Sequence, residues 1–262
     1  MLLDSRKRNN FILFVVFLIV VLSISVKIIF NESGYLSNDS TNYLFLAENI
    51  VNGHGYYTHT EDGIDGSRRL FSSWPIGYPT LISIVSVVTG LSVFISSKVL
   101  NIVFIGSTLL LFKKISPVNA WVYALIFLFS SYLEIYSFTW SETGFIFGLV
   151  LFSYYLYRFI NDNTNIYFVS CILLLSVLFL FLIRYIGALT IGVLGLTWIY
   201  LLFSNRESRK KLIIISVLIV FNISIVIGYL YFNYVETGLT SGRARVLAPE
   251  SNYILFVTLV KA

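Results

Sequence analysis

The sequence has 262 residues, of which 57% are hydrophobic and only 12% are charged, and its mean hydropathy is +0.85. A soluble domain of this length cannot bury so much apolar surface, whereas repeated apolar runs of about 20 residues match the thickness of a bilayer. The composition therefore excludes an ordinary soluble protein and indicates an all-α, multi-pass membrane protein. The net charge of +5 does not indicate a nucleic-acid partner, because the basic residues are scattered over short loops.

Seven apolar runs are each about long enough to cross roughly 30 Å of hydrocarbon. An eighth run, YPTLISIVSVVTG at residues 78–90, is shorter and is bracketed by Pro79 and Gly90. We predict that this short run forms a surface-lying or re-entrant helix and does not cross. The seven predicted spans lie at residues 11–30, 93–112, 117–138, 143–160, 165–183, 186–203 and 212–232.

The placement of charge supports this topology. If 78–90 does not cross, one side of the membrane carries ten basic and three acidic residues, and the other carries eight basic and ten acidic ones. The more basic side is expected to be cytoplasmic, since basic residues accumulate in cytoplasmic loops. The sequence therefore predicts a cytoplasmic N-terminus and a large external loop at 31–92.

The external loop opens with NDSTNYLFLAENIVNG, a pattern typical of a helix. Ser40 or Asp39 is predicted to cap the helix and Gly53 to end it. One face is apolar, so we expect the helix to lie along the membrane surface; this face consists of Tyr43, Leu46, Ala47 and Ile50. Further along, the stretch SSWPIGYP at 72–79 carries Trp74, an aromatic residue typical of the membrane interface.

Two carboxylates are predicted to lie at the same membrane depth. Asp39 stands at the start of the surface helix, and Glu142 stands in SFTWSETGF (137–145), at the start of the fourth span. Each alone is explained by a favourable interaction with a helix N-terminus. With seven spans, however, both lie on the external side, and we interpret them together as a candidate site.

Arg184 lies between two apolar runs with no other charge nearby. An unpaired arginine at membrane depth is costly, so Arg184 is expected either to face a partner, a cavity or an anion, or to extend toward the headgroups. Arg243 belongs to a polar, glycine-containing loop that suits phosphate contact or is simply solvated. His54 and His59 share one loop and are weak evidence for a metal site.

Five stretches follow one another over nearly the whole chain: NDSTNYLFLAENIVNGHGYY, WPIGYPTLISIVSVVTG, SETGFIFGLVLFSYYLYRF, IRYIGALTIGVLGLTWIYLL and ETGLTSGRAR. Together they resemble the GT-C superfamily of integral-membrane glycosyltransferases, which use polyprenyl- or dolichyl-phosphate sugars. The resemblance implies a core of about seven transmembrane helices, spanning residues 1–252, with surface-lying helices in the first external loop. Residues 253–262 resemble the start of a further span.

The resemblance also implies roles for individual residues. By position, the family's catalytic acid in the first external loop is Asp39, expected to act as general base in an inverting transfer to an acceptor hydroxyl. Glu142 is the matching second acid, orienting the acceptor or a divalent metal such as Mg or Mn. Arg184 and Arg243 are expected to neutralise the donor phosphate. The candidate substrate-binding set also includes His54 and Trp74.

These features imply a polyprenyl-phosphate-linked sugar donor, a glycan, lipid or protein acceptor, and a bacterial inner membrane with the site on its external face. Two alternatives stay open. One is a transporter or flippase of lipid-linked sugars, for which charged residues at mid-membrane and broken helices in internal repeats are expected. The other is a non-catalytic, truncated core of the same fold.

Overall fold

A computed structural model describes residues 2–59, 68–162, 165–203 and 209–241. Arg243 and the further span predicted at 253–262 lie outside these residues. The described chain is dominated by ten α-helices: α1 (Leu2–Phe30), α2 (Asn38–Val51), α3 (Gly77–Thr89), α4 (Val93–Ile115), α5 (Ala120–Ala124), α6 (Ser130–Ser137), α7 (Glu142–Asn161), α8 (Ile166–Ile183), α9 (Leu189–Phe203) and α10 (Arg209–Thr237).

Six of these helices are long and apolar enough to cross a membrane: α1, α4, α7, α8, α9 with the turn before it, and α10. The span predicted at 117–138 is present as a bent pair, with α5 and its following 3₁₀ turn inclined by 71° to α6. The bend occurs at Phe129, whose ψ of 140° is extended rather than helical. Counting the bent pair as one crossing gives the seven predicted spans.

The segment predicted not to cross forms α3, which has only 13 residues. It runs antiparallel to the first turns of α4, because Tyr78 at its start contacts Asn101 while Ser86 near its end donates to the carbonyl of Leu91. Gly90 takes a left-handed conformation with φ of 71°, which lets the chain reverse between the two helices. Helix α3 and the first turns of α4 therefore form a helical hairpin.

The side chains of the bundle pack into two hydrophobic clusters. The first is built from the helices α1 through α6. It contains Tyr43 and Tyr78, together with Ile183 from the end of α8. The second joins α7, α8, α9 and α10. Phe145 packs against both clusters and so connects the two halves.

Two three-residue strands were not predicted from the sequence: β1 (Tyr57–His59) and β2 (Arg68–Leu70). They pair antiparallel, with Tyr57 opposite Leu70. The side-chain amide of Asn49 in α2 donates to the carbonyl of Tyr57 at 2.8 Å, which ties the ribbon to the helix. The pairing is backbone-mediated and too short to leave a clear alternating pattern in the sequence.

Gly187 allows the chain to fold back between α8 and α9. It belongs to a 3₁₀ turn, Tyr185–Ala188, that packs directly on the end of α8. A Cβ atom at this position would overlap the backbone carbonyl of Leu180. Because a backbone carbonyl in a packed helix cannot rotate away, the turn requires glycine.

We expect Gly187→Ala to lower the free energy of unfolding by about 1–3 kcal/mol, since the added methyl group overpacks the turn. Thermal unfolding of the purified protein in detergent measures this change. Gly192→Ala, in α9, is the matched control, because no atom lies within 4 Å of a Cβ built there. Equal melting temperatures for the two variants would contradict the close packing.

The topology is tested by labelling single cysteines with a membrane-impermeant maleimide. Cys171 is first replaced by serine, and Thr41→Cys, Glu142→Cys and Lys114→Cys are then introduced one at a time. Positions 41 and 142 are expected to react from the same side of the membrane and position 114 from the other. Reaction of positions 41 and 114 from the same side would show that α3 crosses, and reaction of positions 114 and 142 from the same side would show that the bent pair does not.

Candidate active site

Asp39 lies in the first turn of α2 and is exposed to solvent. The helix cap predicted at Ser40 or Asp39 is instead Ser37, whose hydroxyl accepts a hydrogen bond from the Ser40 N–H at 3.2 Å. Ser37 caps the helix because its backbone is extended, as the capping position requires, whereas the residues after it are already helical. Asp39 makes no hydrogen bond or ion pair with another described residue, so its carboxylate is available to a ligand.

The other end of α2 matches the prediction. The helix ends at Val51, and Gly53 follows in a left-handed conformation with φ of 75°. Its N–H donates to the carbonyl of Ile50 at 3.1 Å, closing the last turn.

Tyr43 anchors α2 to the short loop before α7. It is 2% exposed, and its hydroxyl donates to the Ser141 hydroxyl at 3.1 Å. Its ring packs edge-on against Tyr78, with ring centres 5.2 Å apart, and against Trp74 at 5.8 Å. The first and second external loops are therefore in direct contact.

Glu142 and Arg184 form an ion pair. Glu142 begins α7, and Arg184 is the residue at which α8 ends, so the pair joins the outer ends of two adjacent helices. Their side chains are 39% and 35% exposed. The sequence predicted that Arg184 faces a partner, a cavity or an anion, or extends toward the headgroups. In the structure it faces a charged partner, Glu142, which is itself a predicted site residue.

Tyr43 links the predicted charged residues: Asp39 lies one helical turn before it on α2, and its hydroxyl bonds to Ser141, the residue next to Glu142. Burial raises the pKa of the Tyr43 hydroxyl to about 12. The hydrogen bond to Ser141 and the charge of Arg184 oppose this rise, while the carboxylates of Glu142 and Asp39 add to it. The raised pKa keeps the Tyr43 hydroxyl protonated, as a hydrogen-bond donor to Ser141, well above neutral pH.

The remaining predicted site residues are placed differently. Trp74 is half-buried and packs beside Tyr43 and Phe71, so it forms a wall of the site. His54 is exposed just beyond the end of α2, and its described contact is a backbone hydrogen bond to Asn49. It is not brought to the cluster of charged groups.

Asn101 holds the outer ends of four helices together, a role that was not predicted from the sequence. Its oxygen accepts hydrogen bonds from the hydroxyls of Tyr78 at 3.0 Å and Thr143 at 2.8 Å. Its side-chain nitrogen donates to the backbone carbonyls of Tyr136 at 3.0 Å and Phe138 at 2.8 Å. Asn101 is completely buried, and its side chain thereby satisfies four polar groups that have no access to water.

Lys98 is a second buried group that the sequence analysis passed over. It is 8% exposed, and its ammonium donates to the carbonyl of Ser137 at 2.7 Å and lies 3.4 Å from the carbonyl of Tyr35. Beside it, the Trp140 indole donates to the Ser37 hydroxyl at 2.8 Å. These bonds fasten the start of α2 to the loop that carries Glu142. An isolated lysine or asparagine in an apolar run is the signal that points to both positions.

A divalent metal remains a prediction. The described residues contain no group of three or more histidine, cysteine, aspartate or glutamate side chains that would hold an ion. Glu142, one of the two carboxylates predicted to bind a metal, pairs with Arg184 instead. Magnesium often relies on one or two carboxylates and a substrate phosphate, so Asp39 is the carboxylate available for that arrangement.

Comparison of the chain with protein families, characterised proteins and solved structures gives no match. The resemblance to the GT-C superfamily thus rests on the five sequence stretches alone.

We expect Asn101→Leu to destabilise the protein by about 3 kcal/mol or more, because it leaves several buried polar groups without partners at a cost of roughly 1–3 kcal/mol each. Thermal unfolding in detergent measures the change. Ser224→Ala is the control: Ser224 is exposed on α10 and bonds only to the Val220 carbonyl of its own helix. A melting temperature for Asn101→Leu equal to that of the control would contradict the role of this side chain.

Proposed function

We propose that this protein is a membrane glycosyltransferase that moves a sugar from a polyprenyl-phosphate-linked donor to an acceptor hydroxyl. The observation that carries the proposal is the link through Tyr43 between the helix turn that carries Asp39 and the ion pair of Glu142 with Arg184. A free carboxylate and a cation at one end of an apolar bundle match the two needs of this reaction. The acceptor must lose a proton, and the leaving phosphate must be stabilised.

Asp39 acts as the general base. Its carboxylate takes the proton of the acceptor hydroxyl while the acceptor oxygen bonds to the anomeric carbon of the sugar. The bond between that carbon and the phosphate oxygen breaks, and its electron pair leaves with the polyprenyl phosphate. Attack on the face opposite the phosphate inverts the configuration at the anomeric carbon.

Arg184 stabilises the leaving phosphate. A guanidinium group presents five N–H donors, and only one of its terminal nitrogens is engaged in the described ion pair with Glu142. The remaining donors suit a phosphate, which arginine binds in a forked geometry. In this proposal Glu142 is a positioning residue that holds the guanidinium toward the site. This role replaces the acceptor-orienting role expected from the sequence.

The apolar surface beside the site suits the prenyl chain of the donor. On α2, Phe45 is 40% exposed, and toward the other end of α3, about 15 Å along the helix from Tyr78, Val87 and Val88 are 68% and 78% exposed. Such exposure is favourable only against lipid or another apolar partner. A donor that diffuses in the bilayer therefore reaches the charged groups without passing through water.

The rival interpretation as a transporter is less well supported. A transporter is expected to place charged groups at broken helices near mid-membrane. The described chain has one such break, between α5 and α6, but the residues around it, LIFLFSS at 125–131, carry no charge. Glu142 and Arg184 stand at helix ends, and Lys27, in the last turn of α1, pairs with Glu134 within α6, five residues after the bend.

The test is Asp39→Asn, assayed for transfer of labelled sugar in membranes that make polyprenyl-phosphate sugars. Loss of the general base is expected to reduce turnover by roughly 10²–10⁴-fold. Glu48→Gln is the matched control, because Glu48 is also an exposed carboxylate on α2 and lies outside the site. It is expected to retain full turnover.

The same assay separates the alternatives. Near-normal turnover of Asp39→Asn at normal expression would remove this residue from the mechanism. With purified protein in vesicles, donor binding without transfer would identify a non-catalytic core, and movement of the donor between leaflets would identify a transporter.

A further inference from the structure

Two grooves meet at the end of the bundle opposite the candidate active site. The first has a volume of about 740 Å³ and lies between α4 and α7, where Ser107, Phe147 and Leu151 form its walls. The second, of about 430 Å³, lies between α1 and α4, with walls that include Phe14 and Phe17. Both run along apolar helix surfaces that face the lipid.

The two grooves share one polar head. Asn10 and Lys113 line both of them, and Leu110, which is 64% exposed, lies between the two branches. Lys114 adds a second cation to the first groove. None of the described residues that line the two grooves is acidic, and neither lysine forms an ion pair with another described residue.

The head of the groove is held in place by a buried side chain. Asn9 is 2% exposed; its amide donates to the carbonyl of Pro117 at 2.8 Å and accepts from the N–H of Trp121 at 3.2 Å. These bonds fix the start of α1 against the loop after α4. The shape of the head is thus set before any ligand arrives, which reduces the cost of binding.

We propose that this branched groove binds one anionic diacyl phospholipid. The phosphate lies against Lys113 and Lys114, and the two acyl chains follow the two branches on either side of Leu110. The apolar walls provide little selectivity, because bilayer lipid solvates acyl chains equally well. Selectivity comes from the paired lysines, which attract anionic headgroups at the membrane surface. The charge distribution predicts that this is the cytoplasmic leaflet.

This binding site is independent of the proposed transfer reaction. It lies at the opposite end of α4 from Asn101 and Lys98, which belong to the outer end of the bundle. The two lysines at the end of α4 also interact favourably with the dipole of that helix. That interaction does not explain why two basic residues stand side by side or why they line a concave surface.

The test is native mass spectrometry of the full chain in detergent with phosphatidylglycerol as the probe. Lys113→Gln with Lys114→Gln is expected to weaken binding of the first lipid by roughly 30-fold, from the contribution of each lysine near a phosphate. Arg209→Gln with Lys210→Gln is the matched control: it removes two exposed basic residues at the same end, outside the groove, and is expected to leave this affinity unchanged.

Four further outcomes decide the proposal. Arginine in place of both lysines keeps the charge and is expected to retain binding, which separates lost charge from misfolding. The single-chain lyso form of phosphatidylglycerol is expected to bind more weakly than the diacyl form, because it fills one branch. Equal weakening in the two glutamine double variants, or equal affinity for zwitterionic phosphatidylcholine, would overturn the proposal.

Discussion

The outer end of this bundle depends on one constraint: wherever a helix stops within apolar surroundings, its free backbone groups must find partners within the protein. Helix α6 stops at Ser137, and the carbonyls that its end leaves unpaired receive hydrogen bonds from Asn101 and Lys98. Both donors come from α4, which continues past this level. The short loop before α7 is therefore fixed by side chains of α4 in addition to its own backbone bonds.

The geometry of the candidate site follows from that fixed loop. Ser141 and Glu142 come directly after it, so their positions are set by the bonds to α4. Ser141 receives the Tyr43 hydroxyl and Glu142 receives Arg184, which brings α2 and the end of α8 to the same place. A buried polar network gives this kind of precision because each broken bond would leave a costly unpaired group.

The sequence predicted the parts of the fold that depend on length and average hydropathy. The spans, the short helix ending at Gly90 and the shared side of Asp39 and Glu142 all followed from run lengths and charge placement. The bend at Phe129 was not predicted from the sequence. The residues on both sides of it are apolar, so the mean hydropathy of the span is the same with or without a bend. The cap at Ser37 was missed because several neighbouring polar residues are equally good caps, and only backbone geometry distinguishes them.

The polar residues that organise the site were missed for a different reason. A single lysine or asparagine barely alters the hydropathy of a span, so Lys98 and Asn101 counted only as tolerated exceptions. Their importance lies in which carbonyls and hydroxyls they reach, and these partners are 23 to 63 residues away in sequence. The pairing of Arg184 with Glu142 was predicted only in part. The isolated charge of Arg184 indicated that it needs a partner, but Glu142 becomes that partner only because α7 packs on α8.

The two hydrophobic clusters divide the chemical groups of the site between them. The carboxylate of Asp39 is carried by a helix of the first cluster, whereas Glu142 and Arg184 stand at the ends of helices that build the second. If the chain were cut between α6 and α7, the N-terminal piece would keep Asp39 and lose both Glu142 and Arg184. The site is consequently a joint property of the two halves of the bundle, and neither half contains it alone.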